Sequence, residues 1–173
     1  MTERGRGAIF LAGFMGTGKT EIGRALARRL RRPFFDSDAE VERAAGKTVA
    51  RLFATAGEKR FRALEKRAVA RLSARGRCVV ALGGGALLDP GTRALVSARA
   101  VALTCTEREL WRRLKPELPK RPLLSGGRSA LRALLARRRG AYAGTALRCS
   151  TTRRPPEAAA RLIARRLRER GML

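Results

Sequence analysis

One octapeptide constrains this chain more than any other stretch: Gly13-Phe14-Met15-Gly16-Thr17-Gly18-Lys19-Thr20. It fills every fixed position of the pattern G-x-x-x-x-G-K-[ST]. It also lies between an apolar run, Ala8–Leu11, and an amphipathic pattern that reaches Leu30, the strand–loop–helix setting a phosphate-binding loop requires. Gly13, Gly16 and Gly18, with Thr17, let successive backbone N–H groups converge on a phosphate, and the following helix N-terminus adds partial positive charge. Lys19 is placed to reach the β- and γ-phosphates, and the Thr20 hydroxyl is offered to Mg²⁺. The loop therefore predicts a nucleotide bound with magnesium.

The rest of the chain alternates between strand and helix signals. Short apolar runs at Pro33–Asp36, Cys78–Leu82, Ala100–Thr104 and Leu147–Cys149 read as further strands. Helical spacing is expected over 39–45, 49–56, 58–73, 91–97, 106–114 and 129–139, with a closing helix after Pro155-Pro156. Asp38, Thr48 and Thr106 stand where N-caps belong, and Gly46 and Gly57 where helices stop. This pattern predicts an α/β fold: one parallel sheet covered by helices on both faces and joined by right-handed crossovers. A length of 173 residues suits a single domain, 1–173. The segment 115–128, with three prolines, two glycines and several charges, is expected to be a loop that acts as a lid.

Composition narrows the chemistry. No histidine occurs, which excludes His-based general-base triads and the usual His-containing zinc sites, so a proton acceptor has to be Asp or Glu. Cys78, Cys105 and Cys149 are odd in number and widely spaced, and read as reduced, buried thiols. No apolar run is long enough to span a bilayer, and residues 1–7 are too polar and too short for a secretory signal, so a cytoplasmic, membrane-free protein is expected. The net charge of +26 invites an acidic partner. Its arginines, however, are scattered through every predicted helix, and aromatic residues for base stacking make up only 5%. Arginine-rich helix faces and anionic small substrates are favoured over nucleic acid.

In open α/β sheets ligands sit beyond the carboxyl ends of the strands. Those ends carry the phosphate loop, Asp36-Ser37-Asp38, Gly83-Gly84-Gly85 and the segment entering the lid. The central apolar strand ends Ala81-Leu82-Gly83 without a carboxylate, and the acids stand instead after strand 2. That places negative charge on the acceptor side, as suits a small-molecule kinase.

Taken together, the phosphate loop, Asp36-Ser37-Asp38, Gly57-Glu58 with Phe61-Arg62 and Glu65, Gly83-Gly84-Gly85, Arg121-Pro122-Leu123-Leu124, and Arg138 four residues before Tyr142 resemble the shikimate kinase family, in order over nearly the whole chain. The resemblance implies a P-loop kinase three-layer sandwich with strand order 2-3-1-4-5, substrate-binding helices over about 36–65 and the lid at about 115–128. The activity implied is ATP-dependent phosphorylation of the 3-hydroxyl of shikimate. It further implies catalytic roles for Lys19, Asp38 and Arg121, with Asp38 holding the acceptor and Asp36 supporting Mg²⁺ beside Thr20. Arg62 and Arg138 would clamp the shikimate carboxylate, and Gly83, Gly84 and Gly85 would approach its hydroxyls. Arg113 and Arg153 or Arg154 would flank adenine. Outside the family pattern the less favoured readings are a plain cap for Asp38, which can coexist with its site role, surface charges for the arginines and a turn for the glycines. Other small-metabolite kinases, gluconate-type among them, and a basic nucleic-acid-binding module are the competing readings. A monomer is expected.

Overall fold

The computed structural model describes residues 7–173, leaving aside the side chain of Lys120; residues 1–6 of the polar N-terminal stretch lie outside the described residues. Five strands form one parallel sheet: β1 Ile9–Gly13, β2 Phe34–Asp36, β3 Val79–Ala81, β4 Ala100–Thr104 and β5 Leu147–Ser150, in the spatial order β2-β3-β1-β4-β5. The central strands are wholly buried because helices cover both sheet faces, as their continuous apolar sequences require.

The pleat sorts side chains between the two layers. Ile9 and Leu11 point to one face, where they meet α1 (Lys19–Leu30) and α7 (Pro156–Glu169) through Ile22, Leu26, Ile163 and Leu167. Ala8, Phe10 and Ala12 point to the other, against Val69 and Leu72 of α3 (Val49–Ala74) and Val96 of α4 (Pro90–Val96). A smaller cluster joins Val41 of α2 (Ser37–Ala45) to Leu52, Phe61 and Ala68 of α3. Within α3 the backbone leaves helical geometry at Gly57 (φ 75°, ψ 169°), so the expected break between two helices is present as a kink.

Two expectations are corrected. The cap of α2 is Asp36 rather than Asp38: an Asp36 carboxylate oxygen accepts the Asp38 backbone N–H at 3.0 Å, because the strand turns directly into the helix and Asp38 already lies in its first turn. The segment 115–128 is not an open loop. It forms 3₁₀ turns at Lys115–Lys120 and Pro122–Leu124, and α6 (Gly127–Arg138) starts two residues earlier than expected. Proline pre-sets φ for such turns. Leu124 and Leu131 are buried with Phe14, Leu110 and Leu114, and this cluster ties the segment to α5 (Glu107–Leu114). Cys78 and Cys149 are buried free thiols, while Cys105 is only partly covered.

Candidate active site

The strand ends converge on a cleft of about 840 Å³ that runs from the phosphate loop to the turn after β3. Gly16 (φ 78°) and Gly18 (φ 88°) take left-handed backbone conformations, which side-chain-bearing residues rarely adopt. Thr17 is buried and its hydroxyl donates to the Phe14 carbonyl at 2.7 Å, so it braces the loop from behind. The Lys19 ammonium lies across the loop, donating to the carbonyls of Gly13 at 2.9 Å and Phe14 at 3.0 Å. Burial lowers its pKa to about 8, against the pull of Asp38 and Asp36.

Beside the loop, the Thr20 hydroxyl donates to Asp36 at 3.3 Å. A hydroxyl and a carboxylate form an all-oxygen donor pair of the kind a hard divalent cation takes. Among the described residues no group of three or more His, Cys, Asp or Glu gathers to hold a metal on its own. The donor set therefore fits Mg²⁺ that is shared with phosphates and water, rather than a closed protein cage.

The far end of the cleft, around the turn after β3, is built differently, from charged side chains drawn out of water. Asp38, Glu65 and Arg138 each keep one buried polar atom without a protein partner: Asp38 Oδ1, Glu65 Oε1 and Arg138 Nε. Three such atoms lining one cleft are costly unless a ligand satisfies them. Burial, with repulsion from Asp36 and Glu65, raises the Asp38 carboxyl to about 6, even though Lys19 and Arg62 oppose the shift. Burial also raises Glu65, against the attraction of Arg62.

Arg62 donates to Glu65 at 2.6 Å, and its guanidinium lies 5.2 Å from the Phe61 ring centroid. Arg138 donates to the Gly84 carbonyl at 3.2 Å and stacks 5.6 Å from the Phe14 ring. Both cations are thus held by a hydrogen bond and an aromatic face, not left to swing in solvent. The turn Gly83–Gly85 is what lets them meet. A Cβ on Gly83 would stand 2.5 Å from both Asp38 Oδ1 and Glu65 Oε1, and one on Gly85 would stand 2.5 Å from Arg62 Nη2. Tyr142 donates its hydroxyl to the Gly84 carbonyl at 2.9 Å and anchors the same turn.

The other sequence-derived candidates divide. Arg113 and Arg154 line the cleft, whereas Arg153, exposed and left-handed (φ 52°), is not among the lining residues. Arg113 is a strut: it donates to the carbonyls of Gly16 at 3.1 Å and Thr151 at 3.0 Å and to Glu109 at 2.9 Å, tying the phosphate loop to the turn after β5. Arg121 reaches the cleft while paired with Glu117 at 3.0 Å through Nε.

Sequence reasoning passed over Ser37, Glu109 and Glu117. Ser37 is fully buried and accepts the Gly83 N–H at 2.8 Å, a bond between positions 46 residues apart. Ser37 stands inside the Asp36-Ser37-Asp38 block, but nothing local marks its bond to Gly83. Glu109 and Glu117 each stand four residues before the arginine they hold, a helical spacing that the sequence does display.

A phosphate loop at the head of α1, a 2-3-1-4-5 parallel sheet and a cleft beyond the strand ends define a P-loop kinase. A family model described as "Shikimate kinase" matches residues 15–168. The shikimate kinase of Thermobifida fusca is 45% identical over 163 residues, covering 93% of this chain and 95% of that one. That of Pelotomaculum thermopropionicum is 46% identical over 138 residues, covering 78% and 80%. The structure of shikimate kinase from Acinetobacter baumannii in complex with shikimate superposes with a TM-score of 0.87 at 31% identity, over 95% of this chain and 94% of that chain. A gluconokinase from Sinorhizobium meliloti 1021, at 22% identity and a TM-score of 0.54 over 95% and 97% of the two chains, shares the fold alone. The chain belongs to the shikimate kinase family, a family of ATP-dependent kinases.

Proposed function

We propose that the protein transfers the γ-phosphoryl group of ATP to the 3-hydroxyl of shikimate, giving shikimate 3-phosphate and ADP. The observation that carries this reading is the acceptor end itself: two ring-stacked arginines, Arg62 and Arg138, beside a buried carboxyl, Asp38, whose Oδ1 has no protein partner. A small hydroxylated carboxylic acid matches that set. Its carboxylate takes the forked guanidiniums, and a hydroxyl takes the free oxygen.

In this reading Asp38 orients the attacking hydroxyl and accepts its proton. With a pKa of about 6 it is largely ionised near neutrality yet basic enough to take a proton. Glu65 holds Arg62 in place. Lys19 gives up its carbonyl partners for the phosphates, and Arg121 turns from Glu117 toward the charge on the transferring group. Thr20 and Asp36 would hold Mg²⁺, which supplies charge neutralisation between the phosphates when bound. Gly13, Gly16 and Gly18 contribute backbone, Thr17 bracing, and Arg113 and Arg154 the nucleotide's outer wall. Free thiols at positions 78, 105 and 149 and the use of ATP support a cytoplasmic setting, and a single-domain monomer is part of the same proposal.

The test is ADP release from MgATP with no acceptor, with shikimate, and with shikimate methyl ester. Turnover that depends on shikimate and falls sharply with the ester is expected. Equal turnover with acid and ester would remove the carboxylate clamp, and no turnover with shikimate would remove the acceptor.

A further inference from the structure

The active site accounts for only a few of the 40 lysines and arginines, and the chain's carboxylates are not spread evenly among the rest. Away from the cleft, Arg28 meets Glu157, Arg43 meets Glu40, Arg112 meets Glu109, and Arg128 and Arg132 share Glu107. One groove gathers five arginines with, among the described residues, a single ion pair, Arg165 to Glu169. It measures about 470 Å³ and lies where α7 packs beside α1, lined by Arg29, Arg154, Arg161, Arg165 and Arg168 around Ala158 and Leu162.

The stripe follows from helix geometry. Arg161, Arg165 and Arg168 recur at intervals of four and three along α7, so they share one face. Ala158 stands one turn earlier on that face and Arg154 just before the helix, while Arg29 joins from the last turn of α1. Ala158, with its small side chain, and Leu162 line the groove between the arginines. Of the five arginines only Arg165 has an ion-pair partner among the described residues, Glu169 at 3.5 Å with both side chains well exposed. Five guanidiniums drawn together with one weak counter-charge raise the local potential and favour a multivalent anion.

We propose that this groove binds an inorganic polyphosphate chain. Its ligand class is set by what lines it. Forked guanidinium donors match phosphate oxygens, and no aromatic side chain is present for a base to stack on, which disfavours single-stranded nucleic acid. The groove is also coupled to the nucleotide. Arg154 lines both this groove and the cleft, so a phosphate chain that engages Arg154 takes it from the nucleotide's wall. Polyphosphate in the groove thereby weakens ATP binding without touching the acceptor end.

The experiment titrates tripolyphosphate by calorimetry into the protein saturated with MgADP and shikimate, which keeps the phosphate loop occupied, and compares R161E/R168E. Neither substituted residue lines the cleft, so the variant keeps wild-type turnover in the absence of polyphosphate and thereby reports its own folding. Wild type is expected to bind tripolyphosphate, the variant at least roughly ten-fold more weakly, and tripolyphosphate is expected to raise KM for ATP roughly five-fold in wild type only. Equal binding by wild type and variant, or binding abolished by MgADP, would place the anion on the phosphate loop and overturn the proposal. Tighter binding of an RNA oligonucleotide than of a polyphosphate with the same number of phosphates would overturn it in favour of nucleic acid. An R161E/R168E variant that does not fold is replaced by R165S/R168S in the same titration, read by the same outcomes.

Discussion

The two ends of the cleft solve the problem of holding a charged ligand by opposite means. At the proposed nucleotide end most of the work is done by backbone, joined by the buried Lys19: eight consecutive residues, left-handed glycines and a helix N-terminus, with Thr17 bracing the loop through the carbonyl of Phe14 three residues away. At the proposed acceptor end the charges are side chains collected from α2, α3 and α6 around the glycine turn after β3, and three of their buried polar atoms await a partner. Backbone dipoles are neutral and stay in place when the ligand leaves. Buried side-chain charges carry a desolvation cost that only the ligand offsets. The acceptor end should therefore be both the more specific and the more strained of the two.

The sharpest way to break this contrast is Asp38→Asn. Turnover is expected to fall at least roughly 100-fold while ATP affinity, measured by titration, survives. Near-normal turnover would take Asp38 out of the chemistry. Arg138→Ala should follow, raising KM for shikimate roughly 10- to 100-fold, as the loss of a charged hydrogen-bonding partner implies, with a smaller change in KM for ATP. Equal changes in both constants would mean that the two ends are not separate. Gly83→Ala forces a methyl group against Asp38 and Glu65, and should lower kcat/KM for shikimate roughly ten-fold while leaving nucleotide binding intact.

The strain at the acceptor end has its own signature in pH. Because the Asp38 pKa is raised from 3.8 to about 6 in the folded state, the native protein holds a proton between those values that the unfolded chain releases. Stability contributed by this group is thus present at low pH and lost as pH rises through about 6. Asp38→Asn should consequently raise Tm at pH 7.5 and leave it unchanged at about pH 2.5, well below both pKa values, where the wild-type side chain is protonated in both states. Over the same range kcat/KM of wild type should fall as pH drops through about 6 if Asp38 is the proton acceptor proposed above, because protonation neutralises it. A Tm for Asp38→Asn below wild type at pH 7.5 would mean that the carboxylate supports the fold instead of straining it.

The smallest effect serves as the control. Arg28 and Glu157 pair at 2.5 Å with side chains 68% and 63% exposed. Arg28→Ala should leave turnover and Tm unchanged within error, as exposed ion pairs in high dielectric generally do. A loss comparable to that of Arg138→Ala would mean that arginine content itself, not its placement, governs activity.

The phosphate loop, the five strands, the caps at Thr48 and Thr106 and the break at Gly57 were all legible in the chain, because each depends on neighbours within a few residues. Strand Ala100–Thr104 matches its expected bounds residue for residue, and the order 2-3-1-4-5 came from the family resemblance of ordered motifs. The conformation of segment 115–128 escaped the sequence for a related reason. Its prolines and glycines read locally as a loop, but burial of Leu124 and Leu131 against Phe14 is a tertiary contact that orders the segment.

What the sequence by itself determined, then, is everything carried by periodicity and by consecutive residues: the sheet, its helices and a phosphate cradle made of backbone. Only the tertiary structure decided how far apart the charges stand and how dry they are. It brought Ser37 under Gly83, set Asp38 and Glu65 against a turn that has no room for a side chain, and laid Arg138 over Phe14. Desolvation depends on the surroundings in three dimensions and not on residue type. Asp36 and Asp38 accordingly look alike in the chain, yet Asp36 is engaged by the Asp38 N–H and the Thr20 hydroxyl, whereas burial raises the Asp38 carboxyl and leaves its Oδ1 without a partner.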